Sequence, residues 1–351
     1  MTVSDCTERE LIARIRARLP PAPPWLLVGI GDDAAVVEPE RNRVEVLTVD
    51  ALVEGIHFDR GFVPPDAIGH RALAVNLSDL AAMGAAPRLA LLSMALPPSL
   101  TLADFDAIAA GFAALAGRHR LHVVGGNLTR SPGPLLIDVT VMGTVKRRQA
   151  LTRAGARPGD DLYVSGAIGT AAAGLRLLQS SVVSHQSSGG PATETDDRRL
   201  KSAYLRPEPR LALGMHLARN RAASACMDLS DGLADGLQQI AEASGVGMTI
   251  DAGALPIDPG ARAFFDARGE DAAVEALTGG DDYELLIAVR PRTQRRLTAA
   301  MQRGDVMLTR IGRCTAERGI RLRGAGAAPR DLAALRGFQH FARPKGSHSG
   351  A

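Results

Sequence analysis

Apolar and polar positions alternate from Val44 to Val49, the period-two mark of a strand that delivers Asp50 at its end. From Ile68 to Met83 the apolar spacing becomes helical, with Gly84 and Pro87 as stop signals. Residues 5 to 19 predict a shorter amphipathic helix closed by Pro20 to Pro24. Leu89 to Leu96 predicts a strand, and Thr101 caps a helix running to about Gly117. Leu121 to Val124 and Leu135 to Val145 predict strands either side of a Gly-rich turn. A second unit starts at the turn Arg157-Pro-Gly-Asp160. It continues as a strand over 162–165, helices over 169–178 and 207–219, a strand over 225–229, a helix to about Ser244 and a strand over 283–289. This alternation predicts an α/β (α+β) protein, its first domain ending near residue 150. Residues 180–199 are rich in Ser, Gly, Thr and Asp without apolar period, and predict a mobile surface insertion.

Composition narrows the class. A chain of 351 residues fits two domains, and 46% apolar content supplies their cores. Aromatics make up 3%, and the net charge of +3 is spread as arginine without a basic stripe, so nucleic-acid binding by base stacking is not expected. Lys146, Lys201 and Lys345 are the only lysines, and none sits in a Gly-x-x-x-x-Gly-Lys-Ser/Thr loop, which excludes a Walker-type kinase. Cys6, Cys226 and Cys314 are odd in number and far apart, as in a reducing compartment. The polar start Met1 to Glu10 does not read as a signal peptide, and no apolar stretch approaches membrane-spanning length. A cytoplasmic, non-membrane enzyme is the expectation.

The candidate chemistry lies in acidic clusters at chain turns. They are Gly29-Ile-Gly-Asp-Asp33, Asp50, Asn76-Leu-Ser-Asp79, Asp228-Leu-Ser-Asp231-Gly232 and Gly279-Gly-Asp-Asp282. Asp32 and Asp33 fit either an Asx-turn or a ligand loop in which one of the two binds metal. Asp79 lies in so apolar a helix that its carboxylate needs a partner or a metal. His57 fits a structural or a functional role equally. Gly125-Gly-Asn127, followed by Thr129 and Arg130, fits a plain hairpin or a phosphate contact. Asp228 to Gly232 places two carboxylates and a hydroxyl where a strand enters a helix, a site that favours anions. Hard carboxylate ligands suit Mg²⁺ beside substrate phosphates.

Taken in order, these motifs resemble the thiamine-monophosphate kinases of the aminoimidazole-ribonucleotide-synthetase-like superfamily. Further segments carry the resemblance: Val53-Glu-Gly-Ile-His-Phe58, Arg153-Ala-Gly-Ala-Arg-Pro-Gly-Asp160, Leu205-Arg-Pro-Glu-Pro-Arg210 and Gly337-Phe-Gln-His-Phe341. The match runs from about residue 8 to 342. It implies a mixed-sheet N-terminal domain (1–150) that binds ATP and Mg²⁺ and dimerises. An α/β C-terminal domain (151–342) and a disordered tail (343–351) follow. It implies ATP-dependent, Mg²⁺-dependent phosphorylation of thiamine monophosphate in a homodimer. The implied metal positions are Asp33, Thr48, Val49 (by its backbone), Asp50, Asp79, Asn127, Asp228 and Asp231. Gly126, Asn127, Arg153 and Ser230 are the implied ATP contacts, and His57, Asp281 and Phe338 the implied substrate contacts.

The chain departs from the family pattern at three places. Asn127 and Asp281 replace a common Asp and Glu, and Phe338 replaces Tyr or Trp. Selenophosphate synthetase chemistry lacks its Cys-Lys pair here, since Cys6 has no lysine near it. A hydrogenase-maturation relative would end in a reactive Cys, where this chain ends Ser-Gly-Ala. An aminoimidazole ribonucleotide synthetase-like ligase and a non-catalytic nucleotide-binding protein stay as alternatives.

Overall fold

Fifteen of the eighteen residues of one helix are buried, and the two halves of the chain assemble around it. A computed structural model describes residues 1–183, 194–324, 330–332, 335 and 337. The chain opens with helix α1 (Glu8–Arg16), whose Thr7 and Glu10 form a reciprocal cap. Strands β1 (Leu26–Val28) and β2 (Val36–Val37) make a small antiparallel pair. Strand β3 (Arg43–Val53) leads to the buried helix α2 (Pro65–Ala82), then β4 (Ala86–Leu96), α3 (Leu102–Arg118), β5 (His122–Arg130) and β6 (Leu136–Lys146). These strands form a four-stranded mixed sheet in the order β3-β6-β4-β5, in which only β4 and β5 are parallel, joined through α3.

The second half forms a seven-stranded sheet. Its elements are β7 (Asp161–Ser165), α4 (Thr170–Val183), α5 (Glu194–Leu205), α6 (Leu211–Asn220), β8 (Ala225–Asp228) and α7 (Leu233–Ser244). Then come β9 (Gly247–Asp251), α8 (Pro259–Asp266), α9 (Ala272–Thr278), β10 (Leu285–Val289), α10 (Gln294–Gly304), β11 (Leu308–Thr315), β12 (Ile320–Arg323) and β13 (Arg330–Asp331). The strand order is β13-β12-β9-β11-β7-β10-β8, and α2 packs against β8 and α6 as well as against its own sheet. One apolar core therefore runs from α2 and α3 into α6 and β10, and a second fills the far side of the larger sheet.

Several sequence expectations change. Asp50 lies inside β3, opposite Val139 of β6, instead of ending a strand, because the alternation continues through Leu52. Gly125 to Asn127 are not a hairpin turn. They lie within β5 and pair with Leu91 to Ser93 of β4, the added residue absorbed by a bulge after Ala90. The connection to β6 is instead held by Ser131, whose hydroxyl donates to the Pro134 carbonyl at 2.7 Å. Pro87 lies in β4, one residue after its start at Ala86, and Gly84, at φ +68°, ends α2 alone. The expected insertion at 180–199 is not free surface throughout. Helix α4 runs to Val183, α5 starts at Glu194, and Arg199 pairs with buried Asp258. Residues 184–193, Phe338 and the tail 343–351 lie outside the described residues.

Helix α2 can be enclosed so tightly because glycines admit its neighbours. A Cβ on Gly69 would fall 1.9 Å from the Ile108 carbonyl oxygen of α3, and one on Gly111 would fall 1.9 Å from that of Asp66. On the other side, a Cβ on Gly214 of α6 would come 2.0 Å from the Ala81 oxygen. Backbone meets backbone at these crossings, so no side-chain rotation relieves an added methyl. Gly69→Ala is expected to lower unfolding free energy in urea by about 2 kcal/mol or more. An unchanged midpoint would show that the helices separate freely.

Candidate active site

The site lies on the seam between the two sheets. Thr48 and Asp50, two residues apart on β3, share the strand face turned toward α2. The Thr48 hydroxyl donates to Asp79 Oδ2 on α2. One residue earlier on the same helix, buried Ser78 donates to Asp228 Oδ2 at 2.9 Å, at the end of β8. Adjacent side chains of one helix thus reach both halves of the protein. The Asp50 carboxyl is pushed up to about 7, first by burial and then by the charges of Asp79, Asp228, Asp138 and Asp231. Asp228 is likewise pushed up to about 7 by burial and by Asp79, while Ser78 and Arg153 act the other way. Burial raises Asp79 too, opposed by its bond from Thr48 and by Arg153.

Two loops complete the seam. Residues 228–232 and 279–284 are knitted by backbone bonds. The Asp281 amide donates to the Ser230 carbonyl at 2.7 Å, Tyr283 to Leu229 at 2.9 Å, and Leu229 to Glu284 at 2.8 Å. Gly232, at φ +100°, opens α7, and a Cβ there would meet Gly279 O at 2.8 Å. Gly337 lies so close over Asp231 that a Cβ would fall 1.7 Å from the Asp231 carbonyl oxygen. The neighbouring acids of the last motif divide their work. Asp282 accepts the amides of Gly169 and Ala171 at the start of α4, whereas Asp281 turns to the seam and bonds Arg71 at 2.9 Å.

The sequence-predicted residues separate accordingly. Asp50, Asp79, Asp228 and Asp231 act on one another electrostatically, with Thr48 bonded into the group and Arg153 near it. Arg153 also donates to Gln239. Val49 points to the opposite sheet face, with its side chain 58% exposed, so only its backbone can serve the cluster. Asn127 is exposed on edge strand β5, in the register line Ala51–Asp138–Ser93–Asn127. Gly126 has no room for a side chain, since a Cβ would lie 1.8 Å from Leu92 O. Asp33 is exposed on the segment before β2, with its amide bonded to Asp32 Oδ1 at 2.9 Å, and is not drawn into the group. Ser230 is exposed at the turn. His57 follows β3 and accepts the Val53 amide on Nδ1 at 2.9 Å, which leaves its proton on Nε2. Asp138, Ser78 and Arg71 were not singled out from sequence. A lone Asp in the apolar strand 136–146 and a lone Arg in the apolar helix were the available signals.

The group suits a hard divalent cation. Its donors are carboxylate and hydroxyl oxygens, and the three raised carboxyls reflect packing that concentrates negative charge with little positive charge to offset it. Among the described residues, no three His, Cys, Asp or Glu side chains close on one point by themselves. An ion there would keep positions for waters and phosphate oxygens, as Mg²⁺ commonly does.

Residues 31–145 match the N-terminal domain of AIR synthase related proteins, and residues 157–325 match their C-terminal domain. Thiamine-monophosphate kinase of Salmonella typhimurium is 36% identical over 342 residues, covering 97% of this chain and 99% of that protein. The crystal structure of thiamine-monophosphate kinase from Stenotrophomonas maltophilia K279a is 41% identical, with a TM-score of 0.79 over 91% of this chain and 97% of that one. A ThiL structure complexed with AMPPCP and TMP is 30% identical, with a TM-score of 0.71 over 96% and 99% of the two chains. The chain therefore belongs to the AIR synthase related family, in its thiamine-monophosphate kinase branch.

The raised carboxyls make a prediction for the metal-free protein. The folded pKa of Asp50 stands above its unfolded value, so its ionisation opposes folding. That penalty is absent below the unfolded pKa and grows as pH rises toward about 7. Asp50→Asn is expected to raise unfolding free energy at pH 8, in chelator, by roughly 1–2 kcal/mol, with little gain at pH 4. Equal effects at both pH values would contradict the crowding of charge.

Proposed function

We propose that this chain transfers the γ-phosphoryl group of ATP to thiamine monophosphate, giving thiamine diphosphate and ADP. The observation that carries the reading is the carboxylate group joined by Thr48, Ser78 and α2 across the seam, in a chain of this family. In the transfer, an oxygen of the acceptor phosphate bonds to the γ-phosphorus as the bond to the β-phosphate bridging oxygen breaks. The acceptor is already a phosphate with a second pKa near 6, so it is largely ionised and needs no strong general base. What remains is positioning and charge neutralisation.

Asp50, Asp79, Asp228 and Asp231 are the proposed metal-holding side chains, with Asp33, Asn127, Thr48 and the Val49 backbone as further candidates. Bound Mg²⁺ supplies the positive charge that lets ATP phosphates approach these carboxylates. Gly126, Asn127, Arg153 and Ser230 are proposed at ATP, and His57, Asp281 and Phe338 at the thiamine phosphate. Residues 1–150 form the proposed ATP- and Mg²⁺-binding and dimerisation domain, and 151–342 the second domain. No described helix is long and apolar enough to cross a membrane. Three free cysteines agree with a cytoplasmic site of action.

A homodimer is supported by the outer face of the four-stranded sheet. Leu47, Val49 and Leu91 are 66%, 58% and 40% exposed there, and Val49 and Leu91 flank Thr140 on one register line. A second copy covering this stripe would bury it. Sedimentation of the wild type is expected to show a dimer and Leu47→Glu a monomer. A monomeric wild type at micromolar concentration would contradict this assignment.

Phosphorus NMR with ATP, Mg²⁺ and thiamine monophosphate tests the reaction. Thiamine diphosphate and ADP are expected together, only with metal, and Asp79→Asn is expected to lower kcat about 100-fold or more. ADP with free phosphate and no thiamine diphosphate would point to a ligase-type relative. Bound but unconsumed ATP would point to a non-catalytic protein.

A further inference from the structure

Helix α2 carries a second polar group that reaches the seam, and it is a cation. Arg71 is 1% exposed, and Asp281 is its carboxylate partner among the described residues, at 2.9 Å from Nη2. Its Nη1 donates to the Tyr204 carbonyl, and its guanidinium stacks 4.2 Å over the Tyr204 ring. The Tyr204 hydroxyl in turn donates to the His57 carbonyl at 3.2 Å. One buried charge thus touches the Asp281 segment directly and reaches the His57 segment through Tyr204, the two segments proposed to meet the thiamine phosphate.

Asp281 is held from several sides. Its Oδ1 accepts from Arg71 and from the Tyr283 hydroxyl at 3.0 Å, and its amide bonds to Ser230. Asp281 and Tyr283 both adopt positive φ, +66° and +50°, a conformation costly for residues other than glycine. Such strain persists where the surroundings impose it, often at ligand sites. Among the described residues both side-chain bonds fall on Oδ1, which leaves Oδ2 for a ligand on a side chain 32% exposed. A substrate with a cationic ring and an exocyclic amine, as thiamine has, suits a carboxylate presented in this way.

We propose that Arg71 is a positioning residue for the acceptor substrate: from its buried site it fixes the Asp281 carboxylate directly and the His57 segment through Tyr204. The proposal rests on the functional reading above. It assigns Arg71 to acceptor affinity, separate from ATP binding. Lysine at 71 keeps the charge but cannot make the two-pronged contact to Asp281 and Tyr204 together.

The test compares wild type, Arg71→Lys, Tyr283→Phe and Asp281→Ala. Arg71→Lys is expected to raise KM for thiamine monophosphate about tenfold, with KM for ATP within about twofold of wild type. Tyr283→Phe removes only the hydroxyl and is expected to raise the same KM about threefold. The Arg71→Lys effect is expected to shrink in an Asp281→Ala background, because the two act through one contact. A purely structural role would lower the active fraction or the melting temperature and leave both KM values unchanged, overturning the proposal. If Arg71→Lys does not fold, Tyr283→Phe decides in its place. A wild type that makes no thiamine diphosphate counts against the functional reading. Calorimetry of thiamine monophosphate on the same proteins then decides the positioning, and equal affinity in wild type and variant, or none in either, overturns it.

Discussion

The constraint on which the site depends is the enclosure of α2. A helix buried on nearly every face has little solvent to satisfy polar side chains, which favours finding partners in other elements. Ser78, Asp79 and Arg71 do so by reaching β8, β3 and the 279–284 loop. The polar contacts of α2 therefore both satisfy the helix and align the two sheets. Breaking one member of a buried charged pair commonly costs about 3–5 kcal/mol, which makes such contacts effective at fixing a register.

The same enclosure sets the electrostatics. Buried Asp228 and half-buried Asp50 and Asp79 lie near one another, and Arg153 is the cation that acts on Asp79 and Asp228. A protein selected only for stability would replace these carboxylates with apolar groups or pair each with a base. Their retention in raised, mutually repelling states is the pattern of a site that awaits positive charge from a ligand. The absence of a P-loop lysine agrees with the proposed metal, which would meet the phosphate charge in its place.

Much of this was legible in the chain because α2 and its flanking motifs are local. The helical spacing from Ile68 to Met83, the place of Asp79 in an apolar helix and the turn at Asp228 follow from short-range pattern. The errors came where pairing partners decide. Gly125 to Asn127 reads as a turn by composition, and only the parallel partner β4 makes it strand. Asp50 reads as a strand end until β6 is seen to pair beyond it. Asp138 was passed over because its relation to Asp50 exists only across the β3–β6 ladder, and Arg71 because its partner lies 210 residues away. The departure Asn127 sits exposed within edge strand β5, where a neutral amide incurs little desolvation cost. Asp32 and Asp33, open by sequence between an Asx-turn and a ligand loop, lie on an exposed segment, where Asp32 Oδ1 accepts the Asp33 amide.

The central claim is that the carboxylates on this seam hold divalent metal beside the phosphates. Crystals grown with Mn²⁺, a non-hydrolysable ATP analogue and thiamine monophosphate would test it most directly by anomalous scattering. The account predicts metal peaks within bonding distance of Asp50, Asp79 or Asp228, each also touching a phosphate oxygen. Phosphates bound with no metal at these side chains, or metal bound only elsewhere, would contradict it.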